Sequence, residues 1–456
     1  MVEGLPKGFA RPQYSSEYST APSISSDKKH DVGYMFSGNY TYKNIYLMDA
    51  TVRVDGSSSF GKDSRYATFG SVGLGLNIHK YEFMKQYPWI SQFKIRGSYG
   101  ITGKANFPAS TSKSVYSFNT DRLTTTGVAV DMESMGNDEL KWEKTKVLDF
   151  GTTVGLFHNS LYFKISYYKK LTVDLISSMY LSSSSGFTSY KENVGEIENS
   201  GFELNARFVV VQNKDFQFYL SGSVSSNKNE ITKLSNAMKD YNEMIEASID
   251  TKPVLKFVEG ASITSIYAMQ SLGIDPQTGK ELFLYKDGTA REEWLASENV
   301  AVGNTEPDFN GNFAFNLNYK NITLDAYFTY SYGGQMYNQT LQNKIENANI
   351  RENADKRVFD ERWKEQGDIT KFKALTDWTQ TTKPTSRFVE DNNILELKSL
   401  SLGYSLPREL LKNNFLNNVK FTMTMNDVFR MSSIKQERGT SYPFARKFNL
   451  SCFISF

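Results

Sequence analysis

Little in this 456-residue chain equips it for covalent chemistry. It has one cysteine, Cys452, and three histidines, His30, His79 and His158. A single cysteine excludes an internal disulfide and a thiolate zinc site. On the apolar side of an alternating run, Cys452 reads as a small hydrophobe. No two histidines share metal-ligand spacing, and a Ser–His–Asp arrangement needs mutual hydrogen-bond reach. No phosphate-cradling glycine loop is present, and Asp55 and Asp63 read as a solvated turn, not a calcium site. Charge of one sign is also lacking: 52 Lys and Arg against 50 Asp and Glu leave +2, no footprint for nucleic acid. Long hydrophobic runs are missing too. Mean hydropathy is −0.47, and no stretch reaches the roughly 18 apolar residues of a membrane helix, which excludes a helical membrane protein. These absences predict neither enzyme activity nor a cofactor.

Aromatics are abundant: 14% of the chain, with 27 Tyr and 32 Phe. They fall in alternating runs. In 446–456, Phe448, Leu450, Cys452, Ile454 and Phe456 share one face, while Lys447, Asn449, Ser451 and Ser455 share the other, with Phe453 the exception. Similar runs occupy 44–55, 93–101, 148–156, 161–167, 202–210, 309–319 and 322–330. Their polar faces carry Asp, Glu, Arg, Lys and Asn. A strand of about ten residues with one apolar and one polar face spans a lipid core when tilted. A sandwich strand shows the same alternation with the apolar side inward.

The connections discriminate. Short ones lie at 41–43, 157–160, 212–214 and 320–321, with intermediate ones at 77–90 and 405–418. Long ones occupy 101–144, 177–200, 226–262 and 333–393. Soluble domains rarely carry several loops beyond about 12–15 residues, whereas outer-membrane barrels alternate short periplasmic turns with long external loops. Counting back from Phe456 keeps this parity if a hairpin, 263–273 then 281–285, turns at Asp275-Pro276-Gln277-Thr278-Gly279. About 15 strands result, starting near Val32. Open edges in hydrocarbon leave backbone groups unpaired, so the closing strands are expected outside the given sequence. Residues 1–10 lack a signal-length apolar core, which predicts a chain incomplete at its front.

The motifs point to a family. Arg53-Val54-Asp55-Gly56-Ser57-Ser58-Ser59-Phe60-Gly61 resembles the R-x-D-G-S-S-x-F-G signature of SusC/RagA-like TonB-dependent outer-membrane transporters. Lys94-Ile95-Arg96-Gly97-Ser98-Tyr99-Gly100 with Thr102-Gly103, Leu140-Lys141-Trp142-Glu143-Lys144-Thr145, and Asn199-Ser200-Gly201-Phe202-Glu203 are similar to further family segments. So are Gly273-Ile274-Asp275-Pro276 with Thr278-Gly279, and 397–407 (Leu397 to Pro407). The family's G-x-D-P-E segment is missing after Arg430. The resemblance implies an all-β fold: a transmembrane antiparallel β-barrel, here the C-terminal part (about 15 strands) of a 22-stranded barrel. The plug domain and the TonB-contacting segment are expected to be absent. Residues 1–30 are expected as an irregular external start and 31–456 as partial barrel with long external loops.

The resemblance further implies an outer-membrane nutrient importer contacting lipid, a SusD-like lipoprotein, the TonB complex through the missing N-terminal region, and glycan or oligopeptide cargo. Candidate ligand or partner contacts are Trp363, Trp378, Phe388 and Tyr337 in the longest external loop, where aromatic faces beside polar groups suit sugars or peptides. Arg53 and Arg96 on the polar wall complete the set. The bland alternatives are that Phe359 and Trp363 pack a short loop helix, and that Asp49, Arg53, Arg96, Glu203, Arg207 and Asp325 pair across strands. A surface β-rich binding or adhesin module is the competing class; it requires Tyr46, Phe315 and Phe328 to be buried.

Overall fold

The computed structural model describes residues 28–104, 112–124, 127–180, 187, 189–193, 195–246, 252–349, 351, 354–375, 381–411, 416–434 and 446–456. Thirteen strands form one antiparallel sheet in simple sequence order. They are β1 (Asp31–Tyr42), β2 (Tyr46–Ser57), β3 (Tyr66–Asn77), β4 (Ile90–Lys104), β5 (Glu143–Leu156), β6 (Leu161–Val173) and β7 (Glu196–Gln212). The series continues with β8 (Phe216–Lys233), β9 (Phe309–Tyr319), β10 (Ile322–Tyr332), β11 (Ile394–Ser405), β12 (Asn418–Ser432) and β13 (Phe448–Ser455). Each strand pairs with its sequence neighbours, leaving β1 and β13 as edges among the described residues.

At one end most connections are tight turns, the links 78–89 and 406–417 being longer. Lys43 and Asn44 adopt φ 51° and 56° in the three-residue connection 43–45 between Tyr42 and Tyr46, left-handed turn conformations that suit the right-handed twist of the flanking strands. Phe157, His158 and Asn159 between β5 and β6 are also left-handed, as is Lys320 between β9 and β10. At the opposite end the connections are long, except for 58–65.

The expected hairpin at 263–285 is a correction. It forms, with Gln270 opposite Leu284 and Ile274 opposite Glu281, and the Asp275 carboxylate accepts from Gln277 N–H and Thr278 Oγ1 at 3.0 and 2.9 Å. Its strands, however, span only Gln270–Ile274 and Glu281–Leu284, far short of the roughly 9–11 residues a bilayer needs. They belong to a separate three-stranded sheet. β8 instead pairs directly with β9, Phe216 opposite Tyr319. The sheet therefore has thirteen described strands, not about fifteen, and 234–308 is one long connection. A hairpin adds two strands at once, so parity is blind to it.

One face of the sheet leaves large apolar side chains uncovered. Phe36 is 77% exposed, Leu74 60% and Leu450 79%. Tyr46, Phe150, Ile165, Phe202, Phe313, Leu402 and Phe421 on the same face are exposed as well. Phe315 and Phe328 sit on adjacent strands with ring centroids 6.1 Å apart, beside one another and not between two layers. The sandwich arrangement that an adhesin module requires is not what the chain adopts. The buried clusters lie elsewhere. One is Phe60, Ala67, Phe69, Leu140, Trp142 and Ile176; another is Ile197, Ile231, Met238 and Phe257; a third is Ile345, Val358, Phe372 and Phe388.

Candidate functional site

Two regions carry the polar chemistry: the polar face of the sheet and the long connections above it. On the sheet, Arg53 Nε lies 2.7 Å from Asp55 Oδ1 on its own strand. Arg96 Nη1 reaches Asp149 Oδ1 across β4 and β5 at 3.0 Å. Asn316 Nδ2 donates to Asp325 Oδ1 at 2.7 Å, and the Arg207 guanidinium lies 5.7 Å from the Tyr219 ring centroid. Arg96 thus pairs across strands, whereas Arg53 pairs along its own. Both remain within reach of solvent on the polar face.

The short connection 58–65 shows why its motif has that composition. Phe60 is buried and stacks on Trp142 with centroids 4.3 Å apart, and Phe69 meets the same indole edge-on at 5.4 Å. Trp142 Nε1 donates to the Arg65 carbonyl at 3.1 Å. Gly61 N–H donates to the Leu140 carbonyl at 3.3 Å, and a Cβ on Gly61 would sit 1.7 Å from the Asp138 carbonyl oxygen. Glycine is therefore obligatory there. Two distant motifs, Arg53–Gly61 and Leu140–Thr145, are the two halves of one aromatic anchor.

The connections 234–308 and 333–393 interlock. Arg387 donates through Nε and Nη2 to Glu281 Oε1 and Oε2 at 2.9 and 2.7 Å, and through Nη2 to Glu346 Oε1 at 2.8 Å. The side chains of Arg387, Glu281 and Glu346 are 12%, 5% and 0% exposed. Burial by itself lowers the pKa of the Arg387 guanidinium, but the two carboxylates outweigh that and hold it raised. Arg362, also buried, donates to the carbonyls of Ile345, Glu346 and Lys373. Burial pulls its pKa down, Glu346 offsets part of that, and the neighbouring Arg387 charge adds to the lowering. Trp363 Nε1 donates to the Pro276 carbonyl at 2.9 Å, and Trp294 Nε1 to the Pro384 carbonyl at 2.9 Å. Gly279 has φ +72°, and a Cβ there would strike the Trp363 ring at 2.5 Å. The turn glycine thus serves the indole as well as the bend.

The candidate residues fall out as follows. Tyr337, Phe388 and Trp363 come together in this interlocked unit. Phe388 is 1% exposed, and Tyr337 meets its ring edge-on at 6.0 Å. Burial raises the Tyr337 pKa, and its hydroxyl donates to Gln342 Oε1 at 3.1 Å. Trp378 lies outside the described residues. In the four-residue helix Arg357–Asp360 the packed side chain is Val358, not Phe359, which is 51% exposed. Sequence reasoning missed Glu281, Glu346 and Arg387. Two clefts of about 590 Å³ each flank the buried Arg387, Glu281 and Glu346 cluster. One is lined by Lys280, Glu281, Phe283, Trp294 and Lys373 among others, the other by Arg357, Glu361, Lys371, Phe372 and Arg387 among others. Each offers both signs of charge beside an aromatic ring. Among the described residues no group of three or more His, Cys, Asp or Glu is arranged to hold a metal ion.

A large antiparallel sheet with one apolar and one charged face, and elaborated connections at one end, has the character of an outer-membrane β-barrel wall. Residues 6–253 match the family model described as TonB dependent receptor-like, beta-barrel, and the chain belongs to that family, in its SusC/RagA-like branch. It is similar to TonB-dependent receptor P3 of Formosa agariphila, 31% identical over 408 residues, covering 84% of this chain and 39% of that protein. It is also similar to TonB-dependent receptor SusC of Bacteroides thetaiotaomicron, 32% identical over 227 residues, covering 47% of this chain and 22% of that one. Among solved structures, the RagAB peptide transporter matches with a TM-score of 0.79 at 26% identity, covering 92% of this chain and 47% of that one. The chain spans about two-fifths of the length of the longest-matching curated relatives. The protein resides in the outer membrane. In bacterial outer-membrane barrels the short turns lie on the periplasmic side and the long connections outside.

Proposed function

We propose that this chain forms part of the wall and external face of an energised importer that carries glycan or oligopeptide cargo with a SusD-like lipoprotein partner. The observation that carries the reading is the two-faced wall, apolar outside and charged inside, topped by a cross-braced external unit. Such a wall needs its edge strands paired, because each unpaired backbone group in hydrocarbon costs several kcal/mol; in the whole transporter β1 and β13 meet further strands of a 22-stranded barrel. The mechanism is not catalytic. A lumen of that width is plugged, and force transmitted from the TonB complex to a plug domain opens it for cargo.

Within this reading the candidate residues take different parts. Arg53 and Arg96 stand on the wet face where cargo or partner passes. Tyr337, Trp363 and Phe388 hold the shape of the external unit, whose mixed-charge clefts suit the polar, partly aromatic surfaces of peptides or sugars. Trp378 is proposed as a contact on its sequence position alone. The test is uptake by cells carrying the complete transporter and its neighbouring lipoprotein, on peptide or on glycan as sole nutrient. Uptake abolished by a protonophore and by deletion of the lipoprotein supports the reading. Uptake indifferent to both overturns it.

A further inference from the structure

On the lipid-facing side, Met48, Leu74, Gly97 and Phe150 stand in one row across β2, β3, β4 and β5. Gly97 contributes no side chain to that row, while Ile95 and Tyr99 flank it along the strand. A cleft of about 750 Å³ results, bordered also by Tyr40, Tyr46 and Val72. That volume falls within the roughly 300–1,000 Å³ of small-molecule sites. At the periplasmic end its character changes. Tyr81 donates to the Tyr46 hydroxyl at 2.9 Å, so the Tyr46 proton is left for another acceptor. Tyr42 stacks beside Tyr46 with centroids 6.2 Å apart, and Phe83 stacks on Tyr81 at 5.7 Å. The Lys43 ammonium lies 5.3 Å from the Tyr42 ring centroid. Because Tyr46 points to lipid, its bond to Tyr81 shows that the link 78–89 folds outward along the membrane interface.

We propose that this cleft binds a phospholipid of the periplasmic leaflet, with one acyl chain in the notch at Gly97 and the phosphate beside Lys43 and the Tyr46 hydroxyl. The apolar lining excludes a polar ligand. The mouth carries a cation and a phenol donor that complement a phosphodiester. Its level, at the first residue of β2, selects the periplasmic leaflet over the outer one.

The experiment uses the full-length transporter, delipidated in mild detergent and titrated with phosphatidylglycerol, with bound lipid counted by native mass spectrometry. The expected result is one retained phospholipid, bound roughly tenfold or more weakly by Lys43→Glu and likewise by Gly97→Leu. Lys320→Glu is the control: Lys320 lies 5.5 Å from the Tyr319 ring centroid on a turn outside the cleft, and the bound lipid should be unaffected. A Cβ at Gly97 approaches the Phe150 ring to 3.1 Å; if Gly97→Leu does not fold, Lys43→Glu against Lys320→Glu decides. Equal retention in wild type and Lys43→Glu overturns the site, as does an equal loss in Lys320→Glu. Disulfide pairing of two copies through Met48→Cys in native membranes, with no retained lipid, overturns it in favour of a second copy of this chain.

Discussion

Arg387 reaches Glu281 across 106 residues of chain and Glu346 across 41, and its removal strands two buried carboxylates. Breaking a buried pair on one side costs about 3–5 kcal/mol. Arg387→Met is therefore expected to raise hydrogen exchange throughout 262–308 and 333–393 together while leaving the wall strands protected. Exchange confined to one of the two segments would show them to be independent. Trp142 makes a comparable case: truncation to alanine removes the ring on which Phe60 and Phe69 pack, a loss of about 3–5 kcal/mol, measurable as faster proteolysis of the 58–65 link. Tyr190 gives the pH dependence. Burial, reinforced by its hydrogen bond to Glu192, pushes its phenol from 10.0 up to about 12. The neutral phenol is the stabilised form. Its contribution is full below pH 10 and is lost as pH rises toward about 12. An alkaline ultraviolet titration of wild type minus Tyr190→Phe should show one phenol ionising near 12; a midpoint near 10 would contradict the packing.

At the scale of elements, the strand is the unit that alternation makes legible. The run 322–330 lies inside a strand of the sheet and 44–55 enters one at Tyr46, with the apolar side where the period-two pattern puts it. Leu397 and Leu400 show a limit. A register shift between Leu397 and Ser399 moves the apolar set from odd to even positions, leaving Leu397 buried and Leu402 exposed. The hairpin at 270–284 shows another. Its turn chemistry is strong, but a turn signal specifies a reversal of the chain and says nothing about which sheet receives it. The two faces of β5 differ in their tolerance. A charge at lipid-facing Phe150, as in Phe150→Lys, should cost about 2–4 kcal/mol. Asp149→Asn on the wet face breaks a half-exposed pair and should cost under about 1 kcal/mol. Urea midpoints of the complete protein in bilayers check the contrast.

For the whole molecule, strand parity and ordered motifs carried the family from residues alone, because each wall strand repeats one simple physical pattern. The external unit was opaque for the opposite reason. Beside its apolar cluster it buries Arg387, Glu281, Glu346 and Arg362, charged residues that composition assigns to the surface and that only pairing across distant loops can bury. Aromatic residues there were visible as candidates, yet burial turned Phe388 into framework. The account rests on which medium each face of the wall meets, and spin labels on β2 measure that directly. In the complete transporter with Cys452 replaced by serine, labels at Met48, Ala50 and Val52 should collide with lipid-dissolved oxygen and be shielded from a water-soluble relaxation agent. Labels at Asp49, Thr51 and Arg53 should show the reverse. Shielding of the even-numbered set from both reagents would mean a dry protein interior and would contradict the account.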